Sequence, residues 1–106
     1  MKYELIIILK PESQEEKVDE VVKRYETFIT ENKAAFVGVE KWGRRPLMSA
    51  LRRANHQGEG YYVLINFDDE NKIIEKLNYK LKIDEDILRS MVARAVTTKR
   101  YEEKES

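Results

Sequence analysis

The 106 residues carry no cysteine, 42% hydrophobic and 38% charged side chains, and 20 Lys plus Arg against 20 Asp plus Glu, a formal net charge of zero. That length holds one domain with one modest core, and the cysteine count excludes a disulfide framework, a thiolate metal site and a cysteine nucleophile. No apolar run approaches the ~20 residues that span a bilayer, and the charged, alternating stretch from Met1 to Lys10 is unlike a signal peptide, so a soluble protein of a cytosol-like compartment is expected.

Residues 3–9, from Tyr3 through Ile6, Ile7 and Ile8 to Leu9, are short, β-prone and stopped by Pro11. Being apolar on both faces, they predict an inner strand. Ser13 with Glu16 three residues on has the spacing of a capping box. Val18, Val21, Val22, Tyr25, Phe28 and Ile29 then recur every three or four residues, which predicts an amphipathic helix ending near Asn32.

Residues 35–53 read as a long extended segment interrupted by Gly38, Gly43 and Pro46, the marks of bulges and of an edge strand. Ala54 to Gly60 reads as a hairpin connection, and 60–67 as a second strongly β-prone strand in which Tyr61 and Tyr62 must face opposite sides. Asp68 or Asp69 can cap a second helix carrying Ile73, Ile74, Leu77 and Leu81 on one stripe. Ile87 to Val96 is strand-like. The expected fold class is α+β, a ferredoxin-like βαββαβ domain over residues 1–97 with two helices on one face of a four-stranded antiparallel sheet, followed by a short polar tail over 98–106. That architecture hosts enzymes, sensors and RNA binders, so function has to come from sites.

The zero balance conceals segregation. Residues 12–31 hold seven acids and three bases, and 68–86 hold seven acids and four bases, so both helical stretches read as acidic. Residues 41–58 hold five bases (Lys41, Arg44, Arg45, Arg52, Arg53) and no acid, and 87–100 hold four (Arg89, Arg94, Lys99, Arg100) and no acid. Seven of the nine are Arg, whose planar fork suits phosphate and whose face stacks on bases. Arginines gathered on one rim, with Trp42 and His56 nearby, predict an RNA footprint; Arg that merely blocks edge-to-edge aggregation is the plainer reading.

Trp42-Gly43-Arg44-Arg45 followed by Leu47, Tyr61-Tyr62-Val63-Leu64-Ile65-Asn66-Phe67, Ile87-Leu88-Arg89-Ser90-Met91-Val92, and Tyr3-Glu4 together resemble bacterial-type small-subunit ribosomal protein six. The likeness runs from residue 2 to about 96, in register. It implies a structural, non-catalytic ferredoxin-like domain of the small ribosomal subunit. Its ribosome is cytoplasmic or belongs to an organelle, and its implied partners are the central domain of small-subunit ribosomal RNA and small-subunit ribosomal protein eighteen. Carried onto this chain, the implied RNA-facing residues are Lys2, Arg44, Arg45, Arg52, Arg53 and His56, and the implied partner surface includes Trp42, Leu47, Met48 and Arg89. In one place the chain departs: the family pattern after Leu47 reads Ala-Tyr-Pro-Ile, where Met48, Ser49, Ala50 and Leu51 stand here.

Other chemistries find little support. Trp42 beside a glycine bulge reads first as a core residue. His56, the sole histidine, sits on a Gly-flanked loop with no nucleophile at triad spacing. Asp68-Asp69-Glu70 and Asp84-Glu85-Asp86 lack calcium-loop spacing, and the four Gly form no phosphate-binding loop, so no cofactor and no metal are expected. Glu59 before Gly60 and adjacent aromatics do not fit the RNA-recognition-motif signature. A dimeric metabolite-sensing regulatory domain of the same fold is the alternative reading.

Overall fold

The computed structural model describes residues 1–47 and 58–95. Lys2–Leu9 forms β1, Glu15–Glu31 α1, Ala35–Pro46 β2, Glu59–Asp68 β3, Ile74–Ile83 α2 and Ile87–Arg94 β4. This is the expected ferredoxin-like order. The sheet runs β2-β3-β1-β4 with every neighbouring pair antiparallel. The doubly apolar strands β1 and β3 are the inner ones, while β2 is an edge on which Pro46 leaves no ladder donor missing. Met48, Arg52, Arg53 and His56, most of the hairpin connection and the 98–106 tail lie outside the described residues.

Strand alternation sends Leu5, Ile7 and Leu9 of β1 and Val63, Ile65 and Phe67 of β3 into one cluster with Val18, Val21, Val22, Tyr25 and Ile29 of α1 and Leu77 and Leu81 of α2. Each of these side chains, once fully buried, contributes about 1.5–3 kcal/mol by leaving water. Both helices therefore cover the same face of the sheet.

The helix ends depart from the sequence reading. Gln14, not Ser13, occupies the N-cap of α1 and makes no side-chain cap bond, so the capping box does not form; Glu15 and Glu16 instead place negative charge at the helix's positive end. At the other end the Ala34 N–H donates to the Ile29 carbonyl and the Lys33 N–H to the Thr30 carbonyl, each at 3.0–3.1 Å, with Lys33 at φ 70°. That is a Schellman motif built on a residue with a side chain, where glycine is the unstrained choice. Asp69, not Asp68, organises the entry to α2: its carboxylate accepts the N–H of Asn71 at 2.7 Å and of Ile73 at 2.8 Å. The boundaries also revise the charge reading. Within α2 itself Lys76, Lys80 and Lys82 face a single Glu75, so this helix is basic and the acids of that stretch lie in the turns that flank it.

One partly buried carboxylate ties the layers together. Asp84, 8% exposed at its side chain, accepts from Arg24 Nη1 at 2.6 Å and from the Tyr25 hydroxyl at 2.8 Å, while Arg24 Nη2 reaches Asp86 at 3.0 Å. Burial would raise the Asp84 carboxyl, but the bonds from Tyr25 and Arg24 hold it below the ordinary 3.8. Arg24 and then Lys17 hold Asp86 below it too. Burial first, then the Asp84 bond, pushes the Tyr25 phenol well above its usual range.

Two outcomes follow. Lys33→Gly should stabilise the fold by about 0.5–1 kcal/mol by relieving the left-handed backbone, read as a higher urea midpoint. Asp84→Ala should cost about 2–4 kcal/mol, because it leaves Arg24 and Tyr25 without their partly buried partner. Since the folded-state carboxyls titrate below 3.8, their contribution is complete above that pH and drains as pH falls through it. Wild-type melting temperature should therefore drop below about pH 4, and drop less in the Asp84 variant.

Candidate functional site

The face of the sheet away from the helices carries the even-numbered side chains of β1 and those paired with them. Register places Arg89 of β4 opposite Ile8 of β1, Ile8 opposite Tyr62 of β3, and Tyr62 opposite Gly43 of β2. A second row reads Met91, Ile6, Leu64 and Glu40. At strand spacings near 4.8 Å each row spans about 14 Å. Leu47, 2% exposed, lies over Gly60 and Ile8: a Cβ built on Gly60 would stand 2.5 Å from Ile8 Cγ2 and 2.8 Å from Leu47 Cδ2. Glycine is required there because leucine has taken the space.

Trp42 belongs to this face and not to the core. Its indole stacks on Tyr62 with centroids 6.4 Å apart and planes 15° from parallel, donates to Glu40 Oε1 at 3.2 Å, and stays partly exposed. The Arg45 guanidinium sits 4.7 Å above the ring, a cation–π contact on an exposed surface. The Tyr62 hydroxyl donates to the Pro46 carbonyl at 3.0 Å, closing the group at the end of β2. Trp42, Leu47 and Arg89 are thus brought onto one surface, as the sequence reading grouped them, and Tyr62, Ile8, Ile6, Leu64 and Met91 join them. Ile6, Ile8, Tyr62 and Leu64 were legible in the double-sided apolarity of β1 and β3, whereas Met91 of β4 joins them only through the pairing with Ile6.

The cations do not gather on a single rim. β2 and β4 are opposite edges, so Arg44 and Arg45 lie across the sheet from Arg89 and Arg94. Lys2 pairs with Asp68 and Arg45 with Gly60, eight residues apart on β3 or about 26 Å along the strand. Lys41 is engaged within the chain, on its surface: its ammonium donates to Glu15 at 2.6 Å and also to Asp19, and bonds to Asp19 and then Glu15 raise it above the ordinary lysine value. Arg44 pairs with Tyr61, whose side chain faces the helices and whose hydroxyl donates to Glu15 at 3.4 Å. Arg44 and Arg45 are both exposed, and among the described residues neither makes an ion pair.

A concavity of about 510 Å³ opens on the helix layer between Phe28, Glu75, Lys76, Tyr79, Lys80 and Ile83. Its walls are almost wholly apolar, so it offers few polar groups to orient a small ligand. Among the described residues no group of three His, Cys, Asp or Glu could hold a metal, and no helix is long and apolar enough to cross a membrane.

Comparison with known proteins places these features in a family. Residues 2–94 match the model described as Ribosomal protein S6. The chain is 35% identical over 104 residues to small ribosomal subunit protein bS6 of Synechocystis, covering 98% of this chain and 89% of that one. It is 39% identical over 93 residues to bS6 of Alkaliphilus metalliredigens, covering 88% and 95%. The crystal structure of 30S ribosomal protein S6 from Thermotoga maritima superposes with a TM-score of 0.78 at 25% identity, covering 98% of this chain and 95% of that one.

Gly60→Ala should cost about 1–3 kcal/mol by forcing Leu47 or Ile8 from its seat. The measurement is a denaturant midpoint, and Leu47→Ala in the same background should recover part of the loss.

Proposed function

The chain belongs to the ribosomal protein S6 family, a structural and non-enzymatic component of the small ribosomal subunit, and from that premise we propose that it binds the central domain of small-subunit ribosomal RNA together with ribosomal protein eighteen. Its place is on a cytoplasmic ribosome of bacterial type. One observation carries the reading: the helix-free face holds a partly open apolar patch, and its margin bears an exposed arginine stacked on a partly exposed tryptophan.

The physical division of labour is direct. Ile6, Tyr62 and Met91, beside the buried Ile8, Leu64 and Leu47, offer apolar area of the kind that protein interfaces bury, with Trp42 and Arg89 as anchors of the residue types that dominate such contacts. Met91, 44% exposed, shows that part of this surface remains open to water in the isolated chain. Arg44 and Arg45 at the free edge of β2 supply guanidinium groups for phosphate, joined in our reading by Arg52, Arg53 and His56 of the following segment and by Lys2 at the far end of the sheet. No acid falls between residues 41 and 58, and with Lys41 committed to Glu15 and Asp19 the exposed Arg44 and Arg45 present positive charge toward a polyanion.

With four or five cations on phosphates, the affinity for a central-domain RNA fragment in the presence of protein eighteen should fall with salt at a log–log slope of about −3 to −4. Replacing Arg44 and Arg45 together by Glu should abolish binding while circular dichroism stays unchanged. Retained affinity in the folded double variant would overturn the assignment.

A further inference from the structure

The pairing of β2 with β3 carries two register shifts, one between Phe36 and Gly38 and one between Lys41 and Gly43, and the second falls beside the arginines. Lys41 pairs with Val63 and Pro46 with Glu59, so β2 takes five steps where β3 takes four. Both ends are held. Lys41 is anchored to α1 through Glu15 and Asp19, and beyond Pro46 the Leu47 N–H donates to the Gly58 carbonyl at 3.0 Å while its side chain fills the seat over Gly60. The surplus is absorbed between Lys41 and Gly43, where the register shifts and Gly43 takes φ +78°, a conformation open to glycine and costly for most side chains.

The consequence lies in the two arginines that follow. With the bulge, Arg44 pairs with Tyr61, whose side chain faces the helices, and Arg45 pairs with Gly60 on the helix-free face. In an unbulged ladder continuing from Lys41 and Val63, Arg44 would meet Gly60 and Arg45 would meet Glu59, exchanging the faces of the two side chains. We infer that the Gly43 bulge is a specificity-determining device that makes Arg45, and not its neighbour Arg44, the arginine presented on Trp42 to the protein partner proposed for the helix-free face. Gly43 is a positioning residue in this scheme and touches no partner. The statement that a partner docks on that face rests on the proposed function; the assignment of the arginines does not.

Two readouts keep these apart. Trp42 is the only tryptophan, so its emission reports the cation above its ring without any partner. Arg45→Gln should shift that emission and Arg44→Gln should leave it unchanged. Gly43→Ala should disturb it, and Gly43→Asn, which tolerates the left-handed region, should restore the wild-type signal. In assembly with protein eighteen and the RNA fragment, Arg45→Gln should weaken binding about tenfold more than Arg44→Gln. Equal effects of the two arginine variants on the emission, or a Gly43→Asn variant no better than Gly43→Ala, would overturn the inference. An asymmetric emission with no assembly by the wild-type chain would instead overturn the proposed docking and leave the arginine assignment standing.

Discussion

The constraint from which the rest follows is that the two inner strands are apolar on both faces while the fold supplies helices for only one. Leu5, Ile7, Leu9, Val63, Ile65 and Phe67 are covered by α1 and α2. Ile6, Ile8, Leu64 and Tyr62 face the other way. Leu47 covers a part of that second face, and the structure economises there by having glycine at position 60 so that the leucine can lie flat. Ile6, Met91 and the Trp42–Tyr62 stack are the parts of that face that stay partly open to water.

Charge is arranged around this layering by burial and distance more than by net balance. Lys41 and Arg24 belong to stretches of opposite overall sign, yet both bridge between elements: one pins the β2 edge to α1, the other ties α1 to the turn before β4. A cation committed to such a network has its donors occupied and cannot grip phosphate without breaking internal bonds. Among the described arginines of β2 and β4, the exposed Arg44 and Arg45 on one edge and Arg89 and Arg94 on the other make no ion pair, and Lys2 stands exposed at a separate margin. The basic character of α2, whose flanking turns hold the acids, leaves α1 as the more acidic of the two helices.

Much of the architecture was legible in the chain because its signals were local. The two-residue alternation of the strands, the three- and four-residue spacing in α1, and Gly43 and Pro46 on an edge strand each act over a few bonds. The candidate surface was legible as a list of residue types, and Trp42, Leu47 and Arg89 do share it. Its geometry was not. That Trp42 stacks outside the core depends on Tyr62, twenty residues away in the chain, and that Lys41 is taken depends on Glu15 and Asp19 of another element.

The sequence by itself determined the order of elements, the inner placement of the first strand and the supply of arginine, since hydrophobic period and turn chemistry are properties of neighbours along the chain. Only the tertiary structure decided that the two basic strands lie on opposite edges, that Lys2 stands far from Arg45, and which of two adjacent arginines meets Trp42. The physical reason is that strand order and register are settled by pairing between distant segments. There a single bulged residue, at Gly43, reverses the facing of the side chains that follow it.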